Sequence, residues 1–356
     1  MNTELLKLEK KKNNLLTEYF NTCLDYDKLL GLNQSERLSF FPIQNINLYK
    51  LFEEQLALIW DHHEFNYDND IDDYNSLDLK RKKLLDSVLA FFMVGDGAIS
   101  KNIINRYLLE SDCDEMTLFL SVQILIENVH ALTYGLFAQT FNNGVENAIK
   151  DAENTNCVKR KVEFIQNYML SDLPKNYRYL ASVCSEGIFF CTLFAIVFWF
   201  SRSQNKLMEF YAANKLISRD ETKHRDTYIN LLISNSKNTK EEKEKYKEII
   251  LNAFDVEKTF IEYMLPDPID DLNKNDLLEF LKVIVNDICN KIGLKEFFPN
   301  SINKYQWLDE LSMERKENFF EITTTAYQKR SLNDCYKFIE KRKNNDFINN
   351  PELEDF

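Results

Sequence analysis

A glutamate three residues ahead of a histidine occurs twice in this chain, at Glu127/His130 and Glu221/His224, and no other feature restricts the fold as much. The chain has only four histidines, and two of them complete these pairs inside long apolar stretches with helical spacing. Three residues is most of a helical turn, so the glutamate and histidine of each pair leave one face of their helix. Burying a carboxylate and an imidazole is costly unless they meet each other or a metal. A single Glu-x-x-His is commonplace on a protein surface; two of them on two core-like helices point to a shared interior site. Paired Glu-x-x-His helices, with one carboxylate from each of two further helices, build the di-iron or di-manganese site of a four-helix bundle. Glu186 supplies one further carboxylate, because it stands at the head of the most apolar run, Gly187 to Phe200.

Composition agrees with a helical bundle. Glycine and proline number 7 and 6 in 356 residues, and strand-like alternation is rare, so helices should dominate. A 44% hydrophobic and 13% aromatic content is ample for a large core. The net charge of −13 argues against a nucleic-acid-binding surface. Seven dispersed cysteines without Cys-x-x-Cys spacing fit reduced thiols in a cytoplasmic protein. The run from Gly187 to Phe200 is 14 residues, short of a membrane span, and the Lys- and Glu-rich start does not read as a signal peptide.

Along the chain, residues 1–35 read as a charged N-terminal arm, 36–325 as one ferritin-like all-α domain, and 326–356 as a polar C-terminal tail expected to be disordered. Helical spacing begins over Leu48 to Trp60 and continues over about 79–108, 115–142, 177–203, 205–233, 241–262 and 274–292. The Asp/Asn-rich run from Asp68 to Asn75 reads as a solvated loop, and the Lys/Glu run of 240–249 as a solvated helix face. No solenoid repeat and no glycine-rich phosphate loop is present.

Hard carboxylates bridge and neutralise two divalent ions, while an imidazole completes each coordination sphere. Tyr134 lies four residues after His130, one turn further along the same face. Phe190, Phe194 and Ile217 recur at spacings that would wall that phenol with hydrocarbon, and a dry pocket protects a phenoxyl radical. His62-His63, in a polar context, reads as exposed.

These motifs resemble the small, radical-generating subunit of class I ribonucleotide reductase. The resemblance runs from Phe41-Pro42-Ile43 to about Gln328, through Leu89-Ala90-Phe91-Phe92, Gly95-Asp96-Gly97, Glu127-Asn128-Val129-His130, Glu186-Gly187-Ile188-Phe189-Phe190 and Leu216-Ile217-Ser218-Arg219-Asp220-Glu221. It implies a di-iron centre (manganese as the alternative) on Glu127, His130, Glu186, Glu221 and His224, a radical at Tyr134, and Asp220 hydrogen-bonded to a histidine ligand. It also implies a large-subunit partner reached by the tail ending Glu354-Asp355-Phe356, with Tyr327, or Tyr336 in its place, relaying the radical. Two departures are expected from the same resemblance. Asn66 stands where Trp60-Asp61-His62-His63-Glu64-Phe65 leads to an aspartate ligand, and Tyr49 stands where an electron-relay tryptophan follows Phe41-Pro42-Ile43. A neutral amide among the ligands makes a non-catalytic partner subunit, in a heterodimer rather than a homodimer, the alternative to an active one. A di-metal oxidase or ferritin-like iron store is the second alternative; neither needs the tail or the phenol pocket.

Overall fold

The computed structural model describes residues 40–141 and 145–305. The expected arm, the tail, Tyr327 and Tyr336 lie outside them. Among the described residues the architecture is a helical bundle without β-strands. Its helices are α1 (Ile46–Leu56), α2 (Ile71–Ser76), α3 (Leu79–Asn102), α4 (Asp114–Phe141), α5 (Val145–Asn154), α6 (Asn156–Met169), α7 (Lys175–Cys184), α8 (Cys191–Gln204), α9 (Met208–Asn235), α10 (Lys240–Met264) and α11 (Lys274–Lys291). Helices α5 and α6 fill a stretch that periodicity leaves unassigned.

Local chemistry explains where these helices start. Asn45, Asp78, Thr239 and Asn273 each accept a hydrogen bond from a backbone N–H in the first turn of α1, α3, α10 and α11. The start of α9 is unusual, because Asn205 and Leu207 both hold left-handed backbone angles at the α8–α9 reversal. The Asp/Asn-rich run supplies the compensation. It forms a short 3-10 turn, Tyr67–Asp70, and then α2, rather than a solvated loop. The buried Asp70 carboxylate accepts from the N–H groups of Glu209 and Phe210 at 3.2 and 2.7 Å, and Asp73 accepts from that of Leu207 at 2.9 Å. A carboxylate at the positive end of α9 is favourable by about 0.3–2 kcal/mol.

The core is aromatic. Phe91, Phe92, Phe119, Phe137, Phe189, Phe190, Phe198 and Phe200 are all fully buried, each contributing on the order of 1.5–3 kcal/mol. Three helical stretches are long and apolar enough to cross a membrane, Leu79–Tyr107, Asp114–Phe141 and Lys175–Gln204, and the most apolar is 94% buried inside the bundle. Their apolarity serves packing.

Between α7 and α8 the helix widens into a π-turn, Ser185–Phe189. A π-turn inserts one extra residue and re-aims the side chains it carries. Two features hold it. Gly187 sits so close to α9 that an added Cβ would lie 2.7 Å from Cδ of Arg225. On the other side the fully buried Lys161 donates to the Phe189 carbonyl at 3.2 Å and pairs with Glu257 at 2.6 Å. Its ammonium also lies 4.2 and 3.9 Å from the ring centres of Phe91 and Phe260, and Glu257 accepts from Thr192.

Candidate metal centre

Four helical segments deliver six ligand-type side chains to one buried place. Asp96 comes from α3, Glu127 and His130 from α4, Glu186 from the π-turn, and Glu221 and His224 from α9; all are at most 2% exposed. They form two overlapping groups, Asp96–Glu127–His130–Glu221 and Glu127–Glu186–Glu221–His224, with the ligand atoms of each group within 4.8 Å of one another. Glu127 and Glu221 belong to both groups and so are placed to be shared between them.

Both imidazoles turn Nδ1 to the cluster. Nδ1 of His130 lies 2.9 Å from Glu221, and Nδ1 of His224 lies 3.1 Å from Glu127 and 3.3 Å from Glu221. Each outer nitrogen has its own partner. Nε2 of His130 meets Asp220 at 3.2 Å, and Nε2 of His224 meets the buried Gln55 amide at 2.9 Å. The Asp220 carboxylate can accept only from Nε2–H, which fixes the His130 ring and leaves its Nδ1 the lone pair; at His224 the Gln55 amide nitrogen faces Nε2 and fixes the ring alone. Asp220 is itself held by Trp60, whose Nε1–H donates at 2.8 Å, and by Arg219 at 2.8 and 3.0 Å. Trp60, Asp220 and His130 therefore form one hydrogen-bonded chain into the cluster, with the Trp60 and His130 rings stacked at 5.8 Å.

The electrostatics are those of a site that needs cations. Burial, reinforced by Glu221, pushes the Asp96 and Glu186 carboxyls well above the usual carboxylate range. Glu221 goes the other way: burial opposes its charge, but hydrogen bonds from Glu186, His130 and His224 outweigh it. Burial also opposes charge on His224, yet Glu127 and Glu221 carry it up to about 9, and Asp220, Glu127 and Glu221 raise His130 in the same way. Both oxygens of Asp96, Oε2 of Glu127 and Oε2 of Glu186 are buried without a hydrogen-bond donor. Orphaned acceptors are rare in native interiors unless an ion takes their lone pairs. Four carboxylates balance two divalent cations, and two neutral imidazoles add no charge. The residues present fit a di-metal centre.

Asn66 is not part of it. Its side chain is exposed and donates to Asn69 at 3.0 Å, and its N–H donates to Glu209 at 3.3 Å, so it belongs to the turn before α2. The fourth carboxylate is Asp96. Tyr49 lies on α1 against Phe52, with ring centres 5.8 Å apart, and the indole joined to the cluster is Trp60. Asn66 and Tyr49, expected at the centre from the sequence, thus lie apart from the cluster, and Asp96 and Trp60 are the residues the fold brings to it. His62 and His63 share the Asp61 carboxylate at 3.3 and 2.8 Å, away from the cluster.

Tyr134 is fully buried. Its ring stacks on Phe92 at 4.4 Å and meets Phe210 edge-on at 6.5 Å; Phe190 and Phe194 pack behind Phe92. Burial, then the Asp96 charge, pushes the phenol well above its ordinary range. The pocket is not wholly apolar, because the hydroxyl donates to the Asn214 amide oxygen at 3.0 Å.

Fold and site together define a helical bundle built around a buried cluster of four carboxylates and two imidazoles that fits two metal ions. A sequence profile for "Ribonucleotide reductase, small chain" matches residues 37–305. The "Ribonucleoside-diphosphate reductase small chain" of Plasmodium falciparum (isolate Dd2) is 30% identical over 337 residues, covering 92% of this chain and 91% of the relative. The protein of that name from Variola virus is 30% identical over 303 residues, covering 82% and 92%. Among solved structures, the Rnr4 homodimer of Saccharomyces cerevisiae aligns with a TM-score of 0.66 at 20% identity, over 85% of this chain and 99% of that one. Dimanganese(II)-NrdF of Streptococcus sanguinis aligns at 0.69 and 18%, over 79% and 99%. This chain belongs to the ribonucleotide reductase small-chain family.

Proposed function

We propose that this small subunit of ribonucleoside-diphosphate reductase makes its own radical, with Tyr134 as the residue oxidised. The observation that carries the reading is a buried phenol one helical turn from His130, beside a cluster that has all four carboxylates and both imidazoles once Asp96 takes the place expected for Asn66. Asp96, Glu127, His130 and Glu221 would hold one metal ion, and Glu127, Glu186, Glu221 and His224 the other. The metal is iron, with manganese, the metal of the Streptococcus sanguinis protein, as the alternative. When bound and exposed to oxygen, such a pair supplies the oxidising power for the phenol.

The chain's own residues do the rest. Asp220 accepts from Nε2 of His130 and keeps that imidazole in the tautomer that binds through Nδ1, while Gln55 holds the His224 ring in place. Phe92 and Phe210 exclude water from the phenol. Trp60, 8% exposed, carries electrons between the surface and the centre along the Asp220–His130 hydrogen bonds. A tryptophan in that place can be oxidised without surrendering a proton, unlike a tyrosine. The radical is used by a large subunit, docked in the cytoplasm through the tail of 326–356, with Tyr327 as the relay. The small subunit pairs with a second copy, as Rnr4 of Saccharomyces cerevisiae does in its homodimer. A partner role without catalysis rested on a missing carboxylate ligand, and Asp96 removes that ground.

The test is low-temperature electron paramagnetic resonance after anaerobic ferrous iron and then oxygen. A tyrosyl signal that disappears in Tyr134→Phe is expected. Two bound iron ions with no signal would overturn the reading.

A further inference from the structure

The sequence places hydrocarbon around Tyr134, yet one polar side chain, which holds no metal, is hydrogen-bonded to its hydroxyl. Asn214 lies on α9, three residues before Ile217 and seven before Glu221, on the helix face that carries the ligands. It is 0% exposed. Its Oδ1 accepts the Tyr134 hydroxyl at 3.0 Å, and its Nδ2 donates to the Phe210 carbonyl at 2.8 Å. The second bond fixes the first. Turning the amide over would set its oxygen against the Phe210 carbonyl and lose the Nδ2 bond, so the oxygen stays toward Tyr134. On the cluster side both oxygens of Asp96 lack any donor, and of the cluster's carboxylates Asp96 acts most strongly on the phenol. The hydroxyl proton is thus turned toward α9 rather than toward the carboxylate.

We propose that Asn214 is a positioning residue for the phenol: as a fixed hydrogen-bond acceptor it holds the Tyr134 proton away from Asp96 and favours the reduced, protonated tyrosine. The inference rests on the reading of Tyr134 as the oxidised residue. Oxidation removes one electron and one proton from the phenol, both to the oxygen-treated metal pair. A primary amide oxygen is too weak a base to retain a proton, so the bond to Asn214 is lost in that step. An acceptor that loses its donor on oxidation shifts the equilibrium toward the phenol by about fivefold, the usual net worth of one buried hydrogen bond.

Two measurements on the full chain test this. In the metal-free protein, the ultraviolet resonance Raman doublet of Tyr134, taken as the difference between parent and Tyr134→Phe, should report a strong donor. In Asn214→Leu, close to isosteric, that donor signature should vanish while the far-ultraviolet circular dichroism is kept. Asn214→Ser, too short to reach the phenol, serves if the leucine variant does not fold. In the iron-loaded, oxygen-treated protein, Asn214→Leu should raise the ratio of phenoxyl to phenol about fivefold at a fixed mediator potential. An unchanged doublet in the variant would overturn the proposal. So would a parent phenoxyl with an exchangeable deuteron coupling that Asn214→Leu abolishes, because the amide would then be a donor. The metal-free spectrum decides the hydrogen bond whatever oxygen treatment yields. Absence of any tyrosyl signal in the parent would count against the functional reading alone.

Discussion

Asp96→Asn tests the metal centre because it should have opposite effects with and without metal. In the metal-free protein Asp96 is a fully buried carboxyl, both oxygens lack a donor, and Glu221 and Glu127 oppose its charge. An amide of the same shape removes that repulsion and part of the desolvation cost, so metal-free stability should rise by roughly 1–3 kcal/mol. With metal the sign reverses. The cluster falls from four carboxylates to three, and the Asp96–Glu127–His130–Glu221 group loses one of its three anionic ligands. Removing even an outer partner of a metal ligand costs about 10–100-fold in affinity, so losing the ligand itself should weaken that site by at least about 100-fold. The parent at metal concentrations about 100 times its Kd gains roughly 2.7 kcal/mol per ion, and the variant should lose most of this at one site. The assays are metal analysis after desalting, expected to fall from two ions per chain toward one, and urea unfolding with chelator or with ferrous iron. Asn66→Asp is the paired control and should leave metal content unchanged. Two tightly held ions in Asp96→Asn, or a gain of metal in Asn66→Asp, would refute the assignment of the fourth carboxylate.

Lys161→Met should destabilise the fold by about 3–5 kcal/mol in urea unfolding, because Glu257 would be left buried without its cation, and Lys161→Met/Glu257→Gln should recover a good part of the loss. Trp60→Phe removes the indole donor to Asp220 but leaves Arg219 and His130 in place, so metal content should persist while electron paramagnetic resonance shows radical formation slowed. Metal-free stability should fall as pH rises from 6 to 9. His130 and His224 are raised in the fold, the latter up to about 9, so the folded chain keeps imidazole protons that the unfolded chain loses in that range, and the raised carboxyls of Asp96 and Glu186 act in the same direction. Glu221, lowered in the fold, has its effect only at acid pH, outside this window. Urea midpoints in chelator at pH 6 and pH 9 measure the slope, and saturating metal should flatten it. Gly187→Ala would press a methyl group on Arg225, disturb the π-turn and lower metal loading in the same analysis.

How far the sequence exposes this site depends on how each ligand is marked. Glu127, His130, Glu221 and His224 are legible because scarce histidines at helical spacing mark them, and Glu186 because one acid heads an apolar run. Asp96 carries that second signal too: it is the only charged residue from Ser87 to Ser100. A lone carboxylate in so apolar a stretch of α3 has nothing local to pair with, and that is a stronger indication than the local pattern around Trp60 that pointed to Asn66. Near Trp60 the chain runs through short 3-10 turns, His62–Glu64 and Tyr67–Asp70, where helical periodicity gives no register. The same irregularity hid the role of Asp70 and Asp73, since an Asp/Asn-rich run reads as solvated until the end of α9 is seen above it.

Asn214 was hidden for a different reason. Its spacing to Ile217 and Glu221 assigns it to the ligand face, but whether an asparagine there meets solvent, backbone or a phenol depends on how α4 and α9 approach each other. That approach is set by aromatic packing, with Phe137 against Phe210 at 4.8 Å and Tyr134 against Phe210 at 6.5 Å. The face of a helix is legible from its own sequence, whereas the partner met by a buried polar group is a property of two helices at once. The metal ligands escape this limit because their cost of burial demands a common charge partner, which draws carboxylates from several helices to one point. A single neutral amide makes no such demand. It takes the nearest donor, here the Tyr134 hydroxyl, and only the packed structure reveals which one that is.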